Sequence, residues 1–162
     1  LEKFTGVGRR FEIKGKVSGV TLIDDYGHHP AEIRATLEAA RGCGYNRLLA
    51  LFQPHRYTRT KELWDEFCRA FNHADVLVVT DIYAASEPPI PGITGQALAE
   101  AIRAAGHKQV LYFASMQEGI EYLMTEARAA DAVMTVGAGS VGRVADELLM
   151  LLASRFTADD AN

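Results

Sequence analysis

The run Arg47-Leu48-Leu49-Ala50-Leu51-Phe52 places five apolar residues in succession and is followed at once by Gln53-Pro54-His55-Arg56-Tyr57-Thr58-Arg59. A segment apolar on both alternating faces is buried on both, as in a central strand of a parallel sheet. The switch to ionisable residues marks where that strand leaves the core. Working outward, Leu63, Phe67, Ala70 and Phe71 form the buried face of a single helix, and Val76-Leu77-Val78-Val79 is a second buried strand. Residues 86–95 hold Pro88, Pro89, Pro91 and Gly92 and read as an ordered loop. A helix carrying Leu98, Ala101, Ile102 and Ala105 stops at Gly106, and Val110-Leu111-Tyr112-Phe113 is a strand. Ser115-Met116-Gln117-Glu118 reads as a capping box, in which serine and glutamate each satisfy the other's amide. Ile120, Leu123, Met124 and Ala127 continue that helix, Ala132–Val136 is a strand, and the last helix buries Val141, Val144, Leu148 and Leu152. On the amino-terminal side, Phe11-Glu12-Ile13 and Val20-Thr21-Leu22-Ile23 are strands joined by a turn. His29 then caps a helix opened by Pro30, lined by Ile33, Leu37 and Ala40 and stopped by Gly42.

This alternation predicts an α/β fold: a doubly wound, mostly parallel Rossmann-like sheet with helices on both faces and an antiparallel edge strand. The 162 residues carry a net charge of −4, with 48% hydrophobic and 23% charged residues. Those proportions suit one globular core and exclude disorder or a nucleic-acid-coating basic face. No apolar run nears the roughly 20 residues needed to span a bilayer. Leu1-Glu2-Lys3-Phe4 is not followed by the apolar stretch of a signal peptide, and Cys43 and Cys68 lack disulfide or metal spacing. A reducing, cytoplasmic setting is expected. Leu1 is not an initiator, so a piece of a longer chain is expected, and the polar residues 157–162 should form a frayed tail.

In such sheets chemistry gathers at the carboxyl ends of the strands. Asp24-Asp25-Tyr26-Gly27-His28-His29 follows one strand and His55-Arg56-Tyr57-Thr58-Arg59 another. A loop built only to turn would favour Gly, Asn and Ser. Arg56 and Arg59 stand three apart, on one side of a helix that begins near Tyr57, and suit a carboxylate or phosphate. The competing reading pairs them with Asp24, Asp25 or a neighbouring domain. His28 and His55 are candidates for binding substrate or moving a proton, since imidazole titrates near neutrality. His28, His29 and His55 do not make a convincing metal set, because adjacent histidines rarely converge; no metal ligands are assigned. His73 and His107 read as satisfied surface residues.

Gly137-Ala138-Gly139-Ser140-Val141-Gly142 is a formal G-x-G-x-x-G between strand and helix. It reads either as a tight turn with close packing or as a phosphate-friendly helix start. The phosphate-loop pattern G-x-x-x-x-G-K-[ST] is absent, since Gly15-Lys16 is followed by Val17.

The two polar loops, the junction Gly8-Arg9-Arg10-Phe11-Glu12, the segment Thr80-Asp81-Ile82-Tyr83-Ala84-Ala85-Ser86-Glu87 with Pro91-Gly92-Ile93, and the turn Gly137-Ala138-Gly139 together resemble the C-terminal domain of the Mur ligase family. The resemblance covers nearly the whole chain. It implies a third domain preceded by a UDP-sugar domain and a central ATPase, with residues 1–10 the linker and residues 11–156 the domain itself. It implies ATP-dependent joining of L-alanine to UDP-N-acetylmuramate through an acyl phosphate, in cytoplasmic peptidoglycan precursor synthesis. ATP and Mg²⁺ would be held mainly by the missing central domain, and this chain alone would be inactive. No nucleic-acid or membrane partner is implied. By the same resemblance Tyr26, Arg56 and Arg59 would bind the amino acid, with His28 and His55 catalytic. Asp24, Asp25, Gly137 and Gly139 would support them or touch the nucleotide. Ser140 stands where relatives often carry Asp, though a serine there can cap the helix. Two alternatives remain: a free-standing nucleotide-binding or regulatory module using the glycine turn, and the family's murein peptide ligase, which carries Phe-Ala where this chain has Tyr26-Gly27.

Overall fold

A computed structural model describes the backbone of residues 10–160 and the side chains of residues 10–154. The elements are β1 (Glu12–Val17), β2 (Val20–Asp25), α1 (Pro30–Arg41), β3 (Leu48–Phe52), α2 (Tyr57–Glu62), α3 (Trp64–Cys68), β4 (Val76–Val79), α4 (Gly95–Ala104), β5 (Val110–Tyr112), α5 (Met116–Glu126), β6 (Ala132–Val136) and α6 (Val141–Asp160). They build one sheet in the order β1-β2-β6-β3-β4-β5, parallel except for the β1–β2 pair at the edge. The doubly wound sheet with an antiparallel edge strand is therefore present.

Period-two alternation on β3 divides the core. Leu48, Ala50 and Phe52 face one layer with α1, α3 and α4, while Leu49 and Leu51 face the other with α5 and α6. All five are fully buried. Phe52 anchors the first layer, with ring centroids 5.7 Å from Phe67 and 4.9 Å from Phe71. Truncating a buried phenylalanine of this kind costs about 3–5 kcal/mol.

Several local features differ from sequence expectation. The expected single helix after the β3 loop is two short helices, broken at Leu63, whose φ of −107° and ψ of 21° leave the helical region. Strand β1 continues through Gly15 to Val17, because pairing with β2 absorbs the glycine at a register shift between Ile13 and Gly15. Strand β5 ends at Tyr112, one residue early. The Ser115 box is half made: Ser115 Oγ accepts from Glu118 N at 3.4 Å, and no return bond is present among the described residues. The full capping box lies instead on α1, where His29 caps Ala31 N and Glu32 returns to His29 N. Helix α6 runs through Asp160, into residues assigned to the tail, because nothing from Thr157 to Asp160 breaks a helix. Residues 1–9 of the expected linker, and 161–162, lie outside the described residues. His107 is not a surface residue: it is buried, within 2.8 Å of the Ala74 carbonyl. Among the described residues no helix is long and apolar enough to cross a membrane.

Candidate functional site

The chain visits β6 last and inserts it between β2 and β3. Asp25 and Phe52 both pair with Val136, so these three strands end level. Their loops emerge side by side, and four of the five sequence-predicted side chains that could touch an amino acid lie in two of them.

Those side chains make a connected row. The Tyr26 and His28 rings stand edge to face at 5.3 Å, and His28 and His55 lie 6.2 Å apart. His55 stacks on Tyr83 at 5.4 Å and 11°. Arg59, one turn into α2, reaches back so that Nη1 lies 3.1 Å from His55 Nδ1 and 3.2 Å from the His55 carbonyl.

Hydrogen-bond chemistry fixes what each imidazole offers. A guanidinium only donates, so His55 Nδ1 must accept and the neutral ring carries its proton on Nε2. His28 is the reverse. Its Nδ1 lies 3.2 Å from the Tyr26 carbonyl, which only accepts, so Nδ1 is protonated and the neutral ring leaves Nε2 with a lone pair. Burial, then the charges of Arg59, Arg56 and His28, hold the His55 pKa below its ordinary 6.5, so His55 is neutral near pH 7.

Arg56 caps α2 with φ at +72°, a conformation costly for a residue with a Cβ. Four hydrogen bonds hold the loop around it. Arg56 N donates to the Tyr83 carbonyl at 2.8 Å, and Tyr83 N to the Pro54 carbonyl at 2.8 Å. Beyond it, Thr58 N and Oγ1 donate to the Glu87 carboxylate at 3.1 and 2.5 Å. Those two bonds hold the Glu87 pKa below the usual carboxylate value. The Arg56 side chain is exposed, and neither Arg56 nor Arg59 forms an ion pair among the described residues.

The competing assignment, arginines neutralised by Asp24 or Asp25, is thus overturned. Both aspartates are buried and engaged within the fold, Asp24 by a hydroxyl and Asp25 by backbone N–H groups. Asp24 accepts from Thr135 Oγ1 at 2.6 Å. Asp25 accepts from Phe11 N at 2.8 Å and Gly27 N at 2.7 Å, shaping the loop that carries Tyr26 and His28. An aspartate at a strand end can satisfy backbone donors of its own loop, and that local demand wins here.

The glycine turn is occupied by protein. A Cβ on Gly137, whose φ is +146°, would sit 2.9 Å from the Gln53 carbonyl oxygen. On Gly139 it would meet Tyr83 Cγ at 2.8 Å and Gln53 Oε1 at 2.6 Å. The Gln53 side chain also caps α6: Oε1 accepts from Val141 N at 3.1 Å, while Nε2 donates to Ser140 Oγ at 3.0 Å. The helix cap expected of Ser140 is supplied by Gln53 instead. Tyr83, Gln53 and Glu87 are the site residues that sequence reasoning did not single out. For Gln53 the signal was a polar residue immediately after a wholly apolar strand. A cleft of about 380 Å³ opens between His55, Tyr83, Ala138, Gly139, Ser140 and Arg143. No group of three His, Cys, Asp or Glu gathers for a metal ion among the described residues.

Residues 9–139 match the family described as Mur ligase, glutamate ligase domain. The chain belongs to the Mur ligase family. It is 54% identical over 149 residues to the UDP-N-acetylmuramate–L-alanine ligase of Solibacter usitatus, covering 92% of this chain and 32% of that protein. Among solved structures it resembles the UDP-N-acetylmuramate–alanine ligase of Thermotoga maritima at 26% identity and a TM-score of 0.67, covering 96% of this chain and 31% of that one. It also resembles a murein peptide ligase of Psychrobacter arcticus at 25% identity and a TM-score of 0.74, covering 93% and 31%. The chain thus spans about a third of the length of the curated relatives it matches. The readings as a free-standing nucleotide module or a murein peptide ligase are not favoured, because curated relatives at 51–55% identity carry the L-alanine ligase name.

Proposed function

We propose that this chain is the amino-acid-presenting domain of an ATP-dependent ligase that joins L-alanine to UDP-N-acetylmuramate in cytoplasmic peptidoglycan precursor synthesis. Residues 1–10 would link it to a central ATPase domain, and residues 11–156 would form the domain proper. One observation carries this reading: Arg56 and Arg59, beyond the end of β3, form no ion pair among the described residues and stand beside a row of imidazole and phenol rings.

A free amino acid offers a carboxylate, an ammonium group and a side chain. Arg59, and Arg56 at the mouth of α2, supply charge-assisted donors for the carboxylate. Arg59 remains a donor while it engages His55, because a guanidinium has five N–H groups. His55, neutral with its proton on Nε2, donates to a substrate oxygen. His28, with Nε2 unprotonated, takes the proton that the ammonium group must lose before its nitrogen can attack the acyl phosphate carbonyl. The resulting imidazolium is steadied by the Tyr26 carbonyl at 3.2 Å and the Glu32 carboxylate at 3.8 Å. The N–C bond forms, and the tetrahedral intermediate collapses as the C–O bond to phosphate breaks, the departing phosphate taking the second proton from the nitrogen. Tyr26 walls the amine side of the site, and Asp25 holds the loop in place through Gly27 N. Closing this domain over its neighbour would exclude water from the acyl phosphate.

The described residues supply neither a phosphate loop nor a cluster of three acidic, His or Cys groups for Mg²⁺. The glycine turn is filled by Tyr83 and Gln53, and the Val141 amide at the start of α6 is taken by Gln53. ATP and Mg²⁺ are therefore assigned mainly to the remainder of the ligase, and this chain alone is expected to be inactive.

Steady-state kinetics on the ligase carrying this chain test the reading. Arg59→Ala should raise the L-alanine KM ten- to a hundredfold, the usual cost of a lost charged hydrogen bond at about 1.5–3 kcal/mol, and leave the UDP-N-acetylmuramate KM unchanged. His28→Ala should lower kcat by about 10²- to 10⁴-fold if it moves the proton. An unchanged alanine KM in the first variant removes Arg59 from the pocket, and a pure KM effect in the second reduces His28 to binding.

A further inference from the structure

We propose that Tyr83 is a positioning residue for the amino-acid site: its ring fixes the plane of the His55 imidazole, so that Nδ1 stays on Arg59 and Nε2–H is left for the substrate. This rests on the alanine-site reading above. The aromatic ring is gripped from two sides. One face lies parallel to His55, at 5.4 Å and 11°. Behind its Cγ there is no room for even a Cβ on Gly139. The residue is nonetheless 41% exposed, so filling the core does not account for it.

The Tyr83 backbone already clamps the loop through Pro54 and Arg56, on either side of His55. A side-chain substitution therefore separates the ring's role from the clamp's. Without the ring, His55 can rotate about χ2, and Nδ1 loses its fixed register on Arg59. The glycine turn acquires a purpose that needs no nucleotide: Gly139 is the floor on which the ring lies.

Two arms test this. In the chain itself, ¹⁵N-edited spectra of the His55 ring should show the Nε2–H tautomer, and Tyr83→Ala should erode that preference and raise the His55 pKa towards 6.5 as burial is lost. In the ligase carrying this chain, Tyr83→Ala should lower kcat about tenfold, the upper range for one aromatic contact, with the alanine KM within about twofold. Tyr83→Phe should retain wild-type behaviour, since the stack needs the ring and not the hydroxyl. Gly139→Ala should lower kcat in the same way, and the double variant Tyr83→Ala/Gly139→Ala should cost less than the sum of the two. The proposal is overturned if Tyr83→Ala leaves both the tautomer and kcat unchanged. It is overturned equally if Tyr83→Phe fails as Tyr83→Ala does, or if the loss appears in the ATP KM, which would make the ring a nucleotide platform. Arg59→Ala is the separate control: an unchanged alanine KM there refutes the alanine site, while the spectroscopic arm still decides whether Tyr83 sets the His55 tautomer.

Discussion

The two ends of the sheet treat their charges in opposite ways. At the amino-terminal end, Arg47 donates from Nη2 to buried Asp131 at 2.7 Å and from Nε at 3.3 Å, and also to the Glu126 carbonyl at 2.9 Å. Arg41 pairs with Asp75 at 2.7 Å, and Asp75 in turn accepts from Leu48 N at 2.8 Å. At the carboxyl-terminal end Arg10 pairs with Glu32 at 2.5 Å, but Arg56 and Arg59 stand by imidazoles and a strained loop, and the nearby aspartates are committed to backbone N–H and hydroxyl donors. Charge pairing is completed where the fold needs closing and left open where a ligand can complete it. A protein tolerates such open positions only where function repays the lost stability.

That contrast yields graded expectations. Asp131→Ala leaves Arg47 without its main partner and should lower unfolding stability by about 3 kcal/mol in urea titrations, with the alanine KM unaffected. A stability change below about 0.5 kcal/mol would mean that the amino-terminal pair is no firmer than an ordinary surface pair. Gln53→Ala sits at the boundary between the two behaviours. It removes the α6 cap and the Ser140 bond and should cost about 1–2 kcal/mol, readable as a lower midpoint in the same titration. Arg59→Ala should raise the His55 pKa, because a neighbouring positive charge that holds it down is gone; ring-proton shifts against pH report it. The same depressed values carry a sign for stability. His55 and His107 are both held below 6.5 in the folded chain, chiefly by burial, so the unfolded chain binds their protons first. Their contribution is fully present above about pH 6.5 and is lost as pH falls through the folded values, so Tm should drop on acidification. Smallest of all, Arg59→Ala should change stability by less than about 0.5 kcal/mol, since it breaks no ion pair among the described residues.

How much of this was legible in the sequence follows from the range of the forces. Strands β3 and β6 announce themselves, because unbroken apolar runs have no other place to go. The His29 cap and Pro30 start are local chemistry and were equally readable. The break at Leu63 and the passage of β1 through Gly15 were not, since tertiary pairing overrides local pattern there. His107 is buried by its contact with Ala74, which lies 33 residues away. The ionisable loops marked the site because such density exceeds what a turn requires. The partners of those groups were hidden, because they depend on β6 sitting between β2 and β3. Only that order carries Gln53 to Ser140, 87 positions away in sequence, and puts Gly139 under Tyr83. The competing Arg–Asp pairing failed for the same reason: adjacency of strand ends does not tell which donors an aspartate will satisfy first.

The central proposal is that Arg56 and Arg59, which form no ion pair among the described residues, recognise the carboxylate of a small amino acid. The most direct measurement compares kcat/KM for L-alanine with that for ethylamine, the same amine and methyl without the carboxylate, in the wild-type and Arg59→Ala ligases carrying this chain. The account predicts that the preference for alanine falls ten- to a hundredfold in the variant, at about 1.5–3 kcal/mol for the lost charged bond, while activity with ethylamine holds. An unchanged preference, or an equal loss with both amines, would contradict it.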